Sequence, residues 1–197
     1  MSATEKSRPR GRPRRFDPDQ AVAAAQQLFH ARGYDALGVA EITAALGINP
    51  PSFYAAFGSK AGLYAKVLER YADTRAIPLR KILRPDRPVA ECLAAVLEEA
   101  ARRYAADTDA TGCLVLENVR CDDAAARAAA CVFHTAAQEM IRGYIAERHP
   151  EVADNVADFV CATMAGLSAR ARDGLGLDRL LATARLAGRS LAAELPA

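Results

Sequence analysis

One segment limits the possible folds of this chain more than any other: residues 39–60, which read VAEITAALGINPPSFYAAFGSK. Its first part predicts a helix over Val39–Leu46, because apolar residues recur there at helical spacing. Gly47 follows where a left-handed C-cap would end that helix, and Asn49 can cap a second helix that begins at two prolines. This layout is that of a helix-turn-helix, whose second helix enters the DNA major groove. The alternative is an αα-hairpin that binds no ligand, since fold alone does not imply function.

The positive charge of the chain is concentrated at its N-terminus. The formal net charge is +2, yet residues 1–16 contain six Lys or Arg side chains and a single Glu. Such a basic arm is typical of proteins that bind a polyanion. Its segment Arg10-Gly11-Arg12-Pro13-Arg14 resembles an AT-hook, and Arg10, Arg12 and Arg14 are therefore predicted to lie in a narrow A·T minor groove. The alternative is a solubilising tail that contacts phosphates without specificity.

The composition predicts an all-α fold. Apolar residues make up 51% of the chain, and runs of β-branched residues are scarce. We expect about nine helices: an N-terminal three-helix domain that contains the helix-turn-helix, and a larger C-terminal helical domain. The predicted bounds are 1–15 for a disordered basic arm, 16–62 for the DNA-binding domain and 63–197 for the regulatory domain. The Pro- and Arg-rich stretch 80–88 predicts a connection.

Several classes of protein are disfavoured by what the sequence lacks. No apolar run reaches the ~20 residues that span a bilayer, and no apolar secretory signal opens the chain, so we expect a cytoplasmic protein without membrane contact. Five cysteines without a C-x-x-C pair favour a reducing compartment over a disulfide framework or a zinc site. Cys131 and His134, with Cys121 near, could form only half of a metal site. No phosphate loop or nucleophile elbow is found, so neither an enzyme nor a cofactor is predicted.

Residues 17–64 resemble the TetR family of bacterial transcription repressors. The similarity rests on the order and spacing of many positions rather than on one motif. The matching residues are Ala24, Leu28, Phe29, Gly33, Tyr34, Val39, Ile42, Ala45, Leu46, Gly47, Ile48, Phe53, Tyr54, Phe57, Ser59, Lys60, Leu63 and Tyr64. The resemblance implies a homodimer that binds palindromic, double-stranded operator DNA and is released by a small-molecule inducer.

The resemblance also assigns DNA contacts to residues around the turn. These are Val39, Pro51, Ser52, Tyr54 and Lys60. The chain departs from the family at Gly38, where a Thr or Ser is common, and at Ala55 and Ala56, which replace larger side chains. Because alanine can contact only a thymine methyl, we expect backbone contacts and the basic arm to supply more of the affinity than usual. Phe53 and Phe57 are expected to pack inside.

An inducer pocket among the middle helices is a further implication of the resemblance. The candidates are Leu93, Leu97, Tyr104, Cys113, Leu116, Phe133, Met140, Tyr144, Phe159 and Met164. Each could equally be plain hydrophobic core. Few charged residues (Glu117 or Arg120) fall at inward positions, so an apolar or weakly polar inducer is favoured. Cys113, at a helix start, could sense electrophiles or oxidants, as in some related proteins, or could be a small buried residue.

The last two predicted helices are the expected dimer interface. A four-helix contact about a two-fold axis would space two reading heads ~34 Å apart. The candidate interface residues are Phe159, Thr163, Met164, Gly166, Leu167, Leu180, Leu181, Ala184 and Ala187. Two other classes remain open at this point: an architectural protein that coats DNA, and a helical small-molecule binder or enzyme that does not bind DNA.

Overall fold

The computed structural model describes residues 16–195, and the basic arm with Arg10, Arg12 and Arg14 lies outside this range. The helices are α1 (Pro18–Arg32), α2 (Val39–Leu46), α3 (Pro50–Phe57), α4 (Lys60–Thr74), α5 (Leu79–Ile82), α6 (Val89–Tyr104), α7 (Leu114–Asn118), α8 (Ala124–Ala146), α9 (Ala153–Arg172) and α10 (Leu177–Glu194). The prediction of an all-α fold is confirmed. This part of the chain holds ten helices because the predicted connection contains the single turn α5.

Helices α1 to α4 surround a hydrophobic cluster that we call the N-terminal core. Phe29, Phe53, Leu63 and Tyr64 are fully buried there, and the rings of Phe29 and Tyr64 meet edge to face at 5.2 Å. Helix α7 and the start of α8 also contribute to this core, through residues such as Leu114. All buried residues of α4 belong to it. The predicted boundary after residue 62 thus falls inside a helix that packs as one unit, and the domain bounds stay a prediction.

A second cluster, which we call the C-terminal core, is formed by α6, α9 and α10 with the second half of α8. Leu93, Val160 and Leu180 are fully buried in it. Helices α6 and α10 approach closely at Ala94 and Gly188. A Cβ atom added to Gly188 of α10 would lie only 2.9 Å from the Cβ atom of Ala94 in α6. At this point the two helices pack with no large side chain between them. Within the described range, no helix combines the length and apolar character that crossing a bilayer requires.

Candidate nucleic-acid interface and ligand cavity

The turn between α2 and α3 has the geometry of a helix-turn-helix. Gly47 ends α2 in the left-handed region, at φ 65° and ψ 31°. The Asn49 Oδ1 atom accepts a hydrogen bond from the Ser52 N–H at 2.9 Å and so caps α3. One helix later, the Ser59 Oγ atom accepts from the Gly62 N–H at 2.9 Å and caps α4. The turn at Gly47 and the cap at Asn49 that the sequence predicts are confirmed, and they fix the orientation of α3.

The two faces of α3 differ sharply. Phe53 and Phe57 are buried, with ring centroids 5.6 Å apart, which confirms that they pack inside. Tyr54 points outward with 51% of its surface exposed, and its neighbours Pro51 and Ala55 are exposed as well. The outward face therefore carries one large side chain with a hydrogen-bonding group. The assignment of DNA contacts to this face stays a prediction.

Lys60 has a partner within the protein. Its Nζ atom lies 3.8 Å from the ring centroid of Tyr34, in the turn between α1 and α2. Burial lowers the pKa of the Lys60 ammonium, while the carboxylate of Asp123 opposes this effect. Val39 and Ser52, also predicted to contact DNA, are half-buried. A phosphate contact by Lys60, which stays a prediction, would compete with the contact to the tyrosine ring.

Helix α2 is capped by a side chain that the sequence reasoning did not identify. Gly38 has no side chain to cap the helix, but its N–H donates to the Glu41 Oε2 atom at 3.0 Å. The other carboxylate oxygen of Glu41 accepts from Arg32 at 3.0 Å. The backbone N–H of Gly38 and the Arg32 guanidinium both lower the pKa of the Glu41 carboxyl. A glutamate three residues after the N-cap is half of a capping box, and this spacing could have revealed the contact.

A cavity of about 260 Å³ lies where the two cores meet, with walls from α4 to α9. Six of the predicted pocket residues line it: Tyr104, Cys113, Leu116, Phe133, Met140 and Met164. No charged side chain from residues 16–195 lies on its wall, and its polar groups come from Tyr71, Tyr104, Cys113, His134 and Gln138. The cavity can therefore hold a small, neutral molecule without leaving a buried charge unpaired.

Other predicted pocket residues lie away from this cavity. Leu97 is fully buried in the C-terminal core. The Tyr144 hydroxyl donates to the Arg84 carbonyl oxygen at 2.7 Å, and its ring lies beneath the Arg148 guanidinium. Phe159 is 42% exposed on α9. Helical periodicity marks a buried face, but it does not show which neighbouring element covers that face. Leu93 is likewise buried in the C-terminal core.

The predicted dimer residues fall into two groups. Leu167, Leu180 and Ala184 are buried within the protomer itself, so they cannot reach a partner in this conformation. Ala187 is buried in the same core, and Met164 lines the cavity. The others lie at least partly on the surface: Phe159, Thr163, Gly166 and Leu181. Helix α6 packs against the inner side of α10. The apolar residues Leu180, Ala184 and Ala187 of α10 therefore pack in the C-terminal core of the protomer and not against a partner.

His30, which the sequence suggests to be an ordinary helix-end residue, joins the two parts of the molecule. Its ring is buried, and its Nε2 atom lies 3.1 Å from the carbonyl oxygen of Gly112, in the loop before α7. Arg172 of α9 donates to the His30 carbonyl oxygen at 3.1 Å. Burial, together with the nearby Arg172 and Arg75, lowers the pKa of the imidazole to about 4 despite the Gly112 hydrogen bond and the Asp107 charge, which raise it. His30 therefore ties α1 to the body as a neutral group.

All five cysteines are free thiols. Cys113 is half-buried on the cavity wall, and its backbone N–H donates to the Ser168 Oγ atom at 2.9 Å. Over residues 16–195, no group of three or more His, Cys, Asp or Glu side chains is arranged to hold a metal ion. Cys131 and His134 accordingly have no third ligand among the described residues.

Comparison with known proteins places this chain in a family. Residues 21–67 match the model of the tetR family of bacterial regulatory proteins. The chain is 54% identical over 191 residues to the HTH-type transcriptional repressor BdcR of Escherichia coli K12, with 97% of each chain covered. It is 28% identical over 194 residues to the repressor ComR of the same organism, covering 92% of this chain and 90% of ComR.

A solved structure agrees with these relatives. A cysteine-substituted form of the TetR family regulator CifR, in complex with 26-base-pair operator DNA, superposes on this chain with a TM-score of 0.82 at 32% identity. The similarity covers 94% of this chain and 100% of that one. The chain therefore belongs to the TetR family of bacterial regulatory proteins and is a DNA-binding transcriptional regulator.

Proposed function

We propose that the protein is a repressor that binds a palindromic operator as a homodimer and leaves it when a neutral, largely apolar small molecule fills the cavity. The names of BdcR and ComR as repressors support the direction of regulation. The operator complex of CifR supports the mode of DNA binding. Helix α3, with the exposed Tyr54, would supply DNA contacts of each protomer, and the basic arm would supply the others.

The observation that carries this proposal is the position of the cavity on α4. This helix starts at Lys60, with only two residues between it and the end of the recognition helix α3, and its far end contributes Tyr71 and Ala72 to the cavity wall. A ligand that displaced the far end of α4 would tilt α3 at the other end, because the helix packs as one unit. Ligand binding would then shift the population toward a conformation with lower DNA affinity.

The cavity wall favours a neutral ligand with a hydrogen-bond acceptor. A charged ligand would find no opposite charge among the described wall residues, and burying an unpaired charge is strongly unfavourable. Burial raises the pKa of the Tyr71 and Tyr104 hydroxyls, which therefore stay protonated and can donate. A ligand of apolar body with one carbonyl, ether or hydroxyl oxygen fits this set of donors.

The test is release from DNA by a matched pair of compounds. A labelled duplex from the region upstream of the gene would be titrated with protein, and binding followed by fluorescence anisotropy with 2-nonanone or nonanoate added. We expect the neutral ketone to lower DNA affinity and the carboxylate to have no effect. Release by nonanoate alone would contradict the proposed ligand class. A footprint that spreads along DNA as protein is added, rather than staying on one palindrome, would indicate an architectural protein instead.

The position of Cys113 supports a second candidate function, the sensing of electrophiles or oxidants. Its side chain lies on the cavity wall, next to both Tyr71 and Tyr104. A soluble electrophile that enters the cavity could therefore reach this thiol. Under this candidate, N-ethylmaleimide should release the wild-type protein from DNA and leave Cys113→Ser bound. Release of both proteins, or of neither, would reject it.

A further inference from the structure

The side chain of Asn118 connects α7 to the turn between α1 and α2. Its Oδ1 atom accepts a hydrogen bond from the backbone N–H of Tyr34 at 2.9 Å, and its Nδ2 atom donates to the Leu114 carbonyl oxygen at 2.8 Å. Only 2% of the Asn118 surface is exposed. Both ends of this buried amide are thus hydrogen-bonded, and removing its Oδ1 atom would take away the hydrogen-bond partner of the buried Tyr34 N–H.

One side of helix α7 carries the contact between Asn118 and Tyr34, and another side lines the cavity. Val115 and Leu116 lie on the cavity wall, as does the N-cap residue Cys113, whereas Leu114 and Asn118 are buried toward the N-terminal core. The helix has five residues and a length of roughly 7.5 Å. Leu116 and Asn118 are two residues apart in this one helix, so a displacement of Leu116 by a ligand would also displace Asn118.

Tyr34, at the other end of the contact, holds the N-terminal core together. Its ring stacks on Phe29 at 5.7 Å and meets Tyr64 edge to face at 5.0 Å. Lys60, the first residue of α4, lies over the same ring. The Tyr34 hydroxyl donates to the carboxylate of Asp123, the N-cap residue of α8, at 3.1 Å. Tyr34 is thus bound at its backbone by the last residue of α7 and at its side chain by the N-cap of α8.

We propose that Asn118 is a positioning residue that couples occupancy of the cavity to the orientation of the DNA-reading helices through the backbone N–H of Tyr34. This route runs from α7 to the turn between α1 and α2, separately from the far end of α4. A ligand that pushes α7 outward would break or lengthen the hydrogen bond from Tyr34 to Asn118. The inference rests on the proposed function, because it assigns the route by which a filled cavity lowers operator affinity.

A double-mutant cycle tests this coupling without a known ligand. Ala137 lies on the cavity wall, so Ala137→Phe serves as a permanently filled cavity. We expect this substitution to weaken binding to an operator duplex obtained by in vitro selection by about tenfold, in the range of measured allosteric couplings. In an Asn118→Ala background the same substitution should weaken binding by less than about twofold, because the contact that transmits the change is already absent.

Val22→Ala is the matched control for lost stability. Val22 is buried in the N-terminal core and belongs to α1. It takes part in neither hydrogen bond of the Asn118 side chain. In that background Ala137→Phe should still weaken operator binding about tenfold. Equal effects of Ala137→Phe in the Asn118→Ala and Val22→Ala backgrounds would overturn the proposal.

Hydrogen exchange gives a second measurement that does not need the Asn118 variant to fold. In the Ala137→Phe protein we expect the Tyr34 amide to exchange at least about tenfold faster than in the wild type. The Gly58 amide, which bonds to the Tyr54 carbonyl oxygen, should keep its rate. Unchanged exchange at Tyr34 would overturn the inference. If instead exchange changes as expected while no operator duplex is bound by the wild type, the proposed function fails and the coupling stands.

Discussion

At the scale of single residues, glycine is required at position 62 because the backbone of α3 lies too close for a Cβ atom, and not because a turn needs its conformation. A Cβ atom there would lie 2.2 Å from the carbonyl oxygen of Phe57, the last residue of α3. Gly62→Ala would force α3 and α4 apart, and we expect it to lower the free energy of unfolding by about 1–3 kcal/mol. Gly143→Ala is the control, since nothing lies within 4 Å of its Cβ position and alanine favours helix by about 1 kcal/mol. Urea unfolding that ranked both variants equally would contradict this expectation.

His30 makes stability depend on pH in a defined window. Burial lowers its pKa from 6.5 to about 4 in the folded protein. Between these values the unfolded chain binds a proton that the folded protein does not, so stability falls as pH falls from 6.5 toward 4. The loss should approach about 3 kcal/mol near pH 4. We expect His30→Gln, which keeps a donor for the Gly112 carbonyl oxygen, to lose this part of the pH dependence.

The measurement for His30 is urea unfolding of both proteins at pH 7.5 and pH 4.5. Other groups also titrate in this range, so the informative quantity is the difference between the two proteins at each pH. A wild type and a His30→Gln variant that lose the same free energy of unfolding between these pH values would show that His30 is not the group responsible.

At the scale of helices, the sequence predicts what is local. The start of α3 followed from Asn49 and the prolines, because capping depends on neighbours within four residues. The cavity did not follow in the same way. Leu97 and Tyr104 share one face of α6, yet Tyr104 lines the cavity and Leu97 is buried in the C-terminal core. Which neighbour covers a residue depends on the packing of several helices, and no local pattern encodes that.

Contacts between distant segments could not be predicted either, because they too depend on how several helices pack together. Asn118 and Tyr34 are 84 residues apart in sequence, and an asparagine at a helix end is normally read as a cap or a turn residue. Nothing in the residues around position 118 indicates a partner in the first helical pair. The joining of the two cores could therefore be recognised only in three dimensions.

The cap of α3 is a test of how strongly this short helix depends on local interactions. Asn49→Ala removes the acceptor for the Ser52 N–H, and we expect the loss of about 1 kcal/mol of stability and a several-fold weaker operator complex. Asn49→Ser keeps a capping oxygen and should restore both. Binding by fluorescence anisotropy and stability by urea unfolding check this. If the serine variant behaved like the alanine variant, the role of Asn49 would not be capping.

At the scale of the whole molecule, the outer faces of α9 and α10 are the best candidates for the dimer interface. Phe159 on α9 and Leu186 on α10 are 42% and 58% exposed, and these two helices pack against each other, so together they can offer one apolar surface to a partner. We expect Phe159→Arg to shift the protein from dimer to monomer and to abolish tight operator binding. Val132→Arg is the control, because Val132 is 67% exposed on α8. Sedimentation velocity measures both, and a dimer that persists in Phe159→Arg would place the interface elsewhere.

We expect the basic arm to determine how operator binding responds to salt. Among residues 1–15, six carry positive charge, and each phosphate they neutralise releases about 0.9 counterion from B-DNA. The outward face of α3 offers one large polar side chain, so the arm should supply much of the affinity. Deleting residues 1–15 should weaken operator binding and flatten the slope of log affinity against log salt by several units per dimer. An unchanged slope between 50 and 200 mM salt, with the dimer intact, would mean that the arm does not contact DNA and that residues 39–60 read the operator alone.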